Sequence, residues 1–189
     1  MSKGVPRVLA RQRVHLVETF TYKFRQPYHT AKRMSSDDGR AFIAQVQEKA
    51  RRLAYRAMRD VRDSLQAQGF RLTRCGLVLA SGRPLPPLPQ ILASHALIHT
   101  ADGELFRGAI LHAGARCGFG SATVREKELL SEASRVLRLK PNDLTRRITD
   151  LGREIGPPWS QDEKFASLAA WMALASRSSA LTLAHEDAD

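Results

Sequence analysis

Residues 39–68 carry a helical pattern that is long for a chain of 189 residues. Apolar side chains recur at every third or fourth position, at Phe42, Val46, Ala50, Leu53, Ala57, Val61 and Leu65. This spacing places them on one face of a helix, and Gly69 provides a C-terminal stop. Such a helix is stable only when other elements cover its apolar face, so the rest of the chain must supply the layers that pack against it.

A buried strand is predicted directly after this helix, over residues 70–80. The run 75–80 is continuously apolar, which is typical of a strand covered on both faces. The segment 81–87 contains Gly82 and ends in Pro86 and Pro87, so it forms a turn, and no helix begins before Pro87.

The segment 8–24 shows a two-residue alternation instead of a helical one. One face carries apolar side chains, at Val14, Leu16, Phe20, Tyr22 and Phe24. This pattern predicts a strand with a bend near Gln12. Residues 25–38 then form a polar loop, in which Ser36 and Asp38 offer helix N-caps.

The remaining pattern alternates between helices and one strand. We expect helices over 88–98, 102–116, 126–138, 141–154 and 161–175, and a short strand over 121–125. This order predicts an α/β fold, with a small mixed or parallel sheet flanked by helices and a helical C-terminal part. We expect a single domain over 1–189, with a strand-helix-strand part over 8–80, a mainly helical part over 87–175 and a flexible tail over 176–189.

Charge indicates the class of partner. Thirty Lys and Arg residues stand against nineteen Asp and Glu residues, which gives a formal net charge of +11. A surface this positive attracts polyanions, and nucleic acid, DNA or RNA, is the first candidate. The candidate phosphate contacts are Lys32, Arg33, Arg52, Arg56, Arg59 and Arg83. For the row Arg52, Arg56 and Arg59, the alternative is a solvated helix face with ion pairs to neighbouring acids. Aromatic residues make up only 6%, which disfavours an extended base-stacking platform.

Cysteine usage and hydropathy indicate the cellular compartment in which the protein is expected. Cys75 and Cys117 are isolated and form no CxxC motif, so free buried thiols in a reducing cytoplasm are expected. The N-terminal residues lack the long apolar region of a signal peptide. No run approaches the length of a membrane span, so no membrane association is expected.

The densest group of chemically active residues lies at 94–107. His95 and His99 are four residues apart, so a continuous helix would place both imidazoles on one face, a spacing that metals exploit. Glu104 is a candidate third ligand or base, and Arg107 a candidate anion contact. The acid next to the first His of an HExxH motif is missing, and His95 continues an apolar row, which favours a packed interface histidine. A divalent metal is left open.

Two further segments are candidates. Asp162 would join this catalytic group if the start of the last helix faced the same cleft, although Ser160 and Glu163 also match a helix capping box. The loop 81–83 follows the central strand, where backbone N–H groups can approach phosphate.

The order of elements over residues 70–175 resembles that of RuvC-type, ribonuclease H-like domains. The matching elements are the strand at 77–79, the helix containing Gly103 and Glu104, the strand at 123–124 and the last helix with Asp162, Glu163 and Lys164. Such domains act on nucleic acid through divalent metal held by acids. Asp162 and Glu163 match the terminal acids, but Ser81 stands where the family has an acid. The resemblance therefore implies a binding module more than a two-metal nuclease.

Three functions follow from these observations. The first is phosphate-backbone binding of nucleic acid with little sequence specificity. The second is an enzyme or small-ligand-binding protein with its site around His95, His99, Glu104 and Arg107. The third is assembly with an acidic protein. The sequence alone leaves the oligomeric state and the question of enzymatic activity open.

Overall fold

The structure is a computed structural model that describes residues 6–80 and 84–176. Within these residues the helices are α1 (Tyr22–Arg25), α2 (Pro27–Ala31), α3 (Ser36–Ala67), α4 (Leu88–Ala93), α5 (His95–Arg116), α6 (Leu129–Leu137), α7 (Pro141–Ile155) and α8 (Gln161–Ala175). The strands are β1 (Arg74–Leu79) and β2 (Gly120–Arg125), and a 3-10 turn covers Glu126–Glu128. The predicted α/β class is confirmed: a small parallel sheet is flanked by helices and followed by a helical part.

The two strands form the middle of a three-layer arrangement. They pair in parallel, from Arg74 opposite Gly120 to Leu79 opposite Arg125. A Cβ atom added to Gly76 would lie 2.4 Å from a backbone oxygen of α8, so α8 packs directly on this face of β1. The preceding side chain, Cys75, lies against Gly114 of α5. Because successive residues of a strand point to opposite faces, α8 and α5 cover opposite sides of the sheet.

The long helix α3 packs on α5 and α2. Its N-terminus is capped by Ser35, whose hydroxyl accepts a hydrogen bond from the Asp38 amide at 3.2 Å. The buried residues of this core are Ala31, Phe42, Ile43, Val46, Ala50, Ala54, Leu105, Ala109 and Ala113. The helical pattern therefore predicted both the element and most of its buried face, although the helix begins at Ser36.

A second core joins β2 to α6, α7 and α8. It contains Val124, Leu129, Ala133, Leu137, Leu144, Ile148, Leu151, Leu168, Ala169 and Met172. The predicted capping box at the start of α8 is present: the Glu163 carboxylate accepts a hydrogen bond from the Ser160 amide at 2.6 Å. Hydrogen bonds from Ser160 lower the pKa of Glu163.

The predicted N-terminal strand is wrong. No strand is present in residues 6–21 of the structure, and α1 begins at Tyr22. This segment is an arm along the helices: Arg11 donates to the carbonyl of Gly156 at 2.9 Å, and Lys49 of α3 donates to Glu18 at 2.7 Å. The alternation marked the side chains that face the protein, but a strand also needs a neighbouring backbone to bond with, and the sheet lies elsewhere.

The predicted break between the helices 88–98 and 102–116 is also misplaced. The backbone leaves the helical conformation at Ser94, whose hydroxyl accepts a hydrogen bond from the Leu97 amide at 3.4 Å. Thr100 does not cap a helix, because its hydroxyl donates to the Ala96 carbonyl inside α5 at 3.0 Å. One continuous helix therefore carries everything from His95 to Arg116.

Two sequence predictions fall outside the residues described. These are the loop 81–83, with Arg83, and the flexible tail, apart from Ser176. Across the parts of the chain that the structure describes, no helix is both long enough and apolar enough to cross a membrane.

Candidate metal centre

Three histidines from two helices meet at one surface. His29 lies on α2, whereas His95 and His99 lie one turn apart at the start of α5. A ligand nitrogen of each lies within 4.8 Å of those of the other two. The Nε2 atoms of His95 and His99 are only 3.1 Å apart. Two imidazole nitrogens at this separation share one proton or hold one metal ion between them.

The separations fit a tetrahedral metal site. Zinc bound to imidazole at 2.0–2.1 Å brings neighbouring nitrogens to about 3.3 Å from each other. The pair His95 and His99 is already close to this value. The other separations are at most 4.8 Å, and shifts of the order of 1 Å by the exposed His95 and His99 side chains bring their nitrogens to His29 at little cost.

A buried carboxylate orients the third histidine. Asp102 is only 6% exposed, and one of its oxygens lies 2.7 Å from Nδ1 of His29. Because a carboxylate only accepts hydrogen bonds, Nδ1 carries the proton and Nε2 keeps the lone pair that binds metal. A histidine ligand that donates its other N–H to a carboxylate is typical of metal centres. The other Asp102 oxygen accepts from the Tyr28 amide at 2.8 Å, so the carboxylate is itself fixed.

The packing of α2 explains why His29 reaches this position. Pro27, the first residue of α2, is fully buried, and Ala31, its last residue, is buried against α3. A Cβ on Gly39 of α3 would lie 3.2 Å from the Ala31 carbonyl, so only a small residue allows this contact. Burial, and secondarily the negative charge of Asp102, raise the pKa of Tyr28. Its phenol therefore stays neutral and does not compete as a ligand.

The centre is open to solvent on one side. His95 and His99 are exposed, while His29 is half-buried. Three protein ligands with an exposed fourth position are typical of catalytic zinc sites, in which water or substrate occupies that position. His95 is the first residue of α5, so the positive end of the helix dipole lies here and favours an anionic ligand.

The structure separates the other predicted catalytic residues from the histidines. Nine residues separate Glu104 from His95, which places them on opposite sides of α5. Arg107 faces the sheet: its Nε donates to the Val78 carbonyl at 3.2 Å, and its guanidinium lies 3.5 Å from Glu104. Asp162 is exposed in the first turn of α8. The structure therefore does not place Glu104 and Arg107 beside the histidines with which the sequence grouped them. The sequence predicted a break between 98 and 102, whereas one continuous helix turns Arg107, with Glu104 beside it, toward the sheet.

The predicted phosphate contacts lie in two regions. Lys32 and Arg33 are exposed at the end of α2, close to His29 in the chain. Arg52 and Arg56 are exposed on α3, at least 16 residues and therefore about 24 Å from its start. Glu18 lies near both. The hydrogen bond and charge of Lys49 are the main cause that lowers the pKa of Glu18, and Arg52 and Arg56 lower it further, so the charge of Glu18 offsets theirs. Arg59 pairs with Asp60 at 3.1 Å, as the solvated-face alternative predicts.

Two residues of the site had no clear signal in the sequence. His29 is a single histidine in a segment predicted as loop, and nothing local connects it to His95 or His99. Asp102 stands in the sequence at the start of the helix predicted over 102–116, where an acid commonly lies near the positive end of the helix dipole. Its position seven residues after His95 is the available signal, because positions i, i+4 and i+7 share one face of a continuous helix.

A pocket of about 330 Å³ lies at the carboxyl edge of the sheet, where α/β proteins often bind ligands. Its polar lining is already paired: Arg125 with Glu128, and Glu132 with Arg135. Helix α5 runs antiparallel to β1, because Gly114 lies beside Cys75 and Arg107 beside Val78. The N-terminus of α5, which carries His95 and His99, therefore extends beyond the carboxyl end of β1. The histidines are the stronger site, because three imidazoles converge there, whereas the charged groups of the pocket are bound to each other in ion pairs.

No family model, curated protein or solved structure matches this chain. The resemblance to RuvC-type domains and the binding of nucleic acid therefore stay predictions, and function must be argued from the site itself.

Asp102→Asn is expected to weaken zinc binding by roughly 10–100-fold, the usual effect of losing an outer-shell partner. If the asparagine oxygen keeps the bond from the Tyr28 amide, its NH2 group faces Nδ1 of His29. The proton of His29 then moves to Nε2, the atom that must bind metal. Competition with a chromogenic chelator measures the affinity. Asp162→Asn is the matched control, and equal affinities for the two variants would contradict the role of Asp102.

Proposed function

We propose that this protein binds one divalent metal ion, zinc in the first instance, through His29, His95 and His99, and uses it to activate water for hydrolysis. The observation that carries the proposal is the hydrogen bond of 2.7 Å from His29 to buried Asp102, beside two further imidazoles. Among the described residues, Asp102 is the one polar or charged residue that is buried. Burying a carboxylate costs free energy, and orienting a metal ligand gives this buried carboxylate a function.

The donor set favours zinc. Imidazole nitrogens suit zinc, copper, iron and nickel, whereas calcium and magnesium prefer oxygen ligands. The small site, with nitrogens 3.1 Å apart, fits four-coordinate geometry. The three histidines supply no net charge, so a bound zinc ion keeps its full positive charge and acidifies a bound water.

A catalytic role is favoured over a structural one by the number and exposure of the ligands. Structural zinc sites are closed by four protein ligands, usually including cysteine. Here Cys75 lies against Gly114, 15 residues along α5 from His99 and therefore about 22 Å away. Burial also raises the pKa of the Cys75 thiol, which keeps it protonated. The fourth position at the histidines is left to water.

The test is zinc titration of the purified, metal-stripped protein. We expect one zinc ion per chain, and we expect Co²⁺ in the same site to give the intense visible absorption of a four-coordinate ion. His95→Ala and His99→Ala should each remove the high-affinity site. His112→Ala is the control, because His112 is exposed on the same helix outside the cluster. Zinc binding that is lost equally in all three variants, or absent from the wild type, would overturn the proposal.

A further inference from the structure

The histidine centre is bordered by a segment without acidic residues. Residues 19–36 contain Lys23, Arg25, Lys32 and Arg33 but no Asp or Glu. This segment includes α1, α2 and His29 itself. Asp102 is the acid closest to the centre, and it is buried and bonded to His29 and the Tyr28 amide. A negatively charged molecule that approaches His29 along this segment therefore meets cations and no acidic side chain of residues 19–36.

Three of these cations are available to an anion. Lys23 lies against rings of the core, since its ammonium is 5.5 Å from the centres of the half-buried Phe24 ring and the buried Phe42 ring. Arg25 also contacts a ring, that of Phe20, but this ring is exposed, so the guanidinium stays on the surface. Arg25, Lys32 and Arg33 are exposed, and no ion pair involves them within residues 6–80 and 84–176. This contrasts with the α6 and α7 arginines Arg135, Arg146 and Arg153, which all pair with an acid three residues earlier.

Exposed aromatic rings lie beside the same cations. Phe20 is 62% exposed and Tyr22 is 53% exposed, although both are large enough to favour burial. The Arg25 guanidinium lies 4.4 Å from the Phe20 ring centre, and the Tyr22 ring meets the edge of His29 with centres 6.2 Å apart. Overall aromatic content is low, but Tyr22 lies against His29 of the centre. Phe20, two residues earlier, meets Arg25 and the His15 ring, whose centre lies 4.8 Å from its own.

Resting on the proposed metal centre, we propose that its substrate is single-stranded nucleic acid. Arg25, Lys32 and Arg33 contact the phosphates, and bases stack on Phe20 and Tyr22. Positive charge alternating with exposed rings is how proteins bind single strands, because a base can stack on a ring only when it is free of its own duplex. On α3 the ring nearest to Arg52 by helical spacing, that of Tyr55, is only partly exposed and already lies 4.2 Å from the Arg116 guanidinium. Glu18 also offsets the charge of Arg52 and Arg56.

The reaction at the centre is hydrolysis of a phosphodiester. The oxygen of a water molecule forms a bond to phosphorus, and the bond from phosphorus to the leaving sugar oxygen breaks. One proton of the water ends on the leaving oxygen as a hydroxyl, and the other remains on the phosphate monoester or passes to solvent. A metal held by His29, His95 and His99 would supply a positive charge that favours deprotonation of the water and stabilises the negative charge on the phosphate oxygens. No oxidant, reductant or further reactant is needed.

Binding is tested by fluorescence anisotropy with short labelled single-stranded DNA and RNA and with the corresponding duplexes. We expect single strands to bind more tightly than duplexes. Three phosphate contacts give a salt slope of about −2, so a fourfold rise in salt should weaken binding about 16-fold. Phe20→Ala and Tyr22→Ala should each weaken it by roughly 5- to 100-fold, the usual range for a stacked base.

Matched controls separate this surface from general charge. Phe70→Ala removes another exposed ring, which lies 5.9 Å from the guanidinium of Arg7 beyond the far end of α3. The double variant Arg52→Ala and Arg56→Ala removes two charges from α3. Both should bind single strands as the wild type does. If these controls lose affinity as much as Phe20→Ala and Tyr22→Ala, or if duplex binds as tightly as single strand, the inference is overturned.

Cleavage is followed on denaturing gels with the zinc-loaded protein. We expect single-stranded oligonucleotide to be cut by the wild type and the Phe70→Ala variant. His99→Ala, prepared in parallel, should bind the oligonucleotide normally but leave it intact. Zinc binding is measured on the same samples. A protein that binds zinc but neither binds nor cuts single strands overturns this inference alone, whereas one that binds no zinc overturns the proposed function.

Discussion

Replacing His29 with asparagine is expected to abolish high-affinity zinc binding while the fold is kept. The amide NH2 of asparagine takes the place of Nδ1 and still donates to Asp102, so the buried carboxylate keeps its partner. The ligand nitrogen, Nε2, is lost. Two histidines one turn apart remain, and the affinity should fall by more than the roughly 10–100-fold that an outer-shell partner provides.

Two measurements check this prediction. Chelator competition gives the affinity, and thermal melting gives the stabilisation by zinc. At a zinc concentration 100 times Kd, binding stabilises the folded state by about 2.7 kcal/mol, which is about 5–10 °C in Tm for a domain of this size. The His29→Asn variant should show no such rise. If it keeps both the affinity and the rise in Tm, then His29 is not a ligand.

His29→Ala serves as the companion variant, since it removes the ligand and the partner of Asp102 together. A buried polar group left without its hydrogen bond costs about 1–3 kcal/mol. The metal-free alanine variant should therefore melt below the metal-free asparagine variant. Equal melting temperatures would contradict the hydrogen bond between residue 29 and Asp102, independently of any metal.

Gly76→Ala is expected to have the largest effect on stability. The added methyl group would lie 2.4 Å from the Ala169 carbonyl oxygen and 2.6 Å from its carbon. These are backbone atoms of α8, so no change of rotamer relieves the clash and the helix must move off the sheet. We expect a loss of about 3 kcal/mol, at the upper end of the cost of overpacking, and a fall of about 6–12 °C in Tm.

Gly108→Ala provides the control. Gly108 is exposed inside α5, and no atom outside the local helix lies within 4 Å of an added Cβ. Alanine in a helix interior is more favourable than glycine by about 0.5–1 kcal/mol, so this variant should melt slightly above the wild type. Differential scanning calorimetry compares the two. If Gly76→Ala melts as the wild type does, α8 does not lie on β1 at this distance.

Much of the fold could be predicted because its signals are local. Helical periodicity identified α3, Pro141 marked the start of α7, and the Ser160–Glu163 capping box fixed the start of α8. The continuous apolar run after α3 predicted a strand covered on both faces, as β1 is. In each case the energetics depend on residues within a few positions of each other, so the sequence records them directly.

The N-terminal arm and the break at Ser94 show where local signals failed. Residues 8–24 have the alternation of a strand, but hydrogen-bonding partners for a strand come from elsewhere in the chain. Thr100, Asp102 and Glu104 resemble a helix start, yet α5 continues through them. The free energy gained by burying the neighbouring Ile98, Ala101 and Leu105 on a continuous helix outweighs that of a cap at Thr100.

The sequence by itself determined an α/β chain with a long amphipathic helix, a positive charge and a pair of histidines at helical spacing. Only the tertiary structure decided that a third histidine joins the pair, since His29 lies 66 positions before His95 and reaches it by the packing of α2 between α3 and α5. A metal site depends on distances of a few ångströms between atoms, and residues distant in the chain acquire such distances only when the core that holds them has formed.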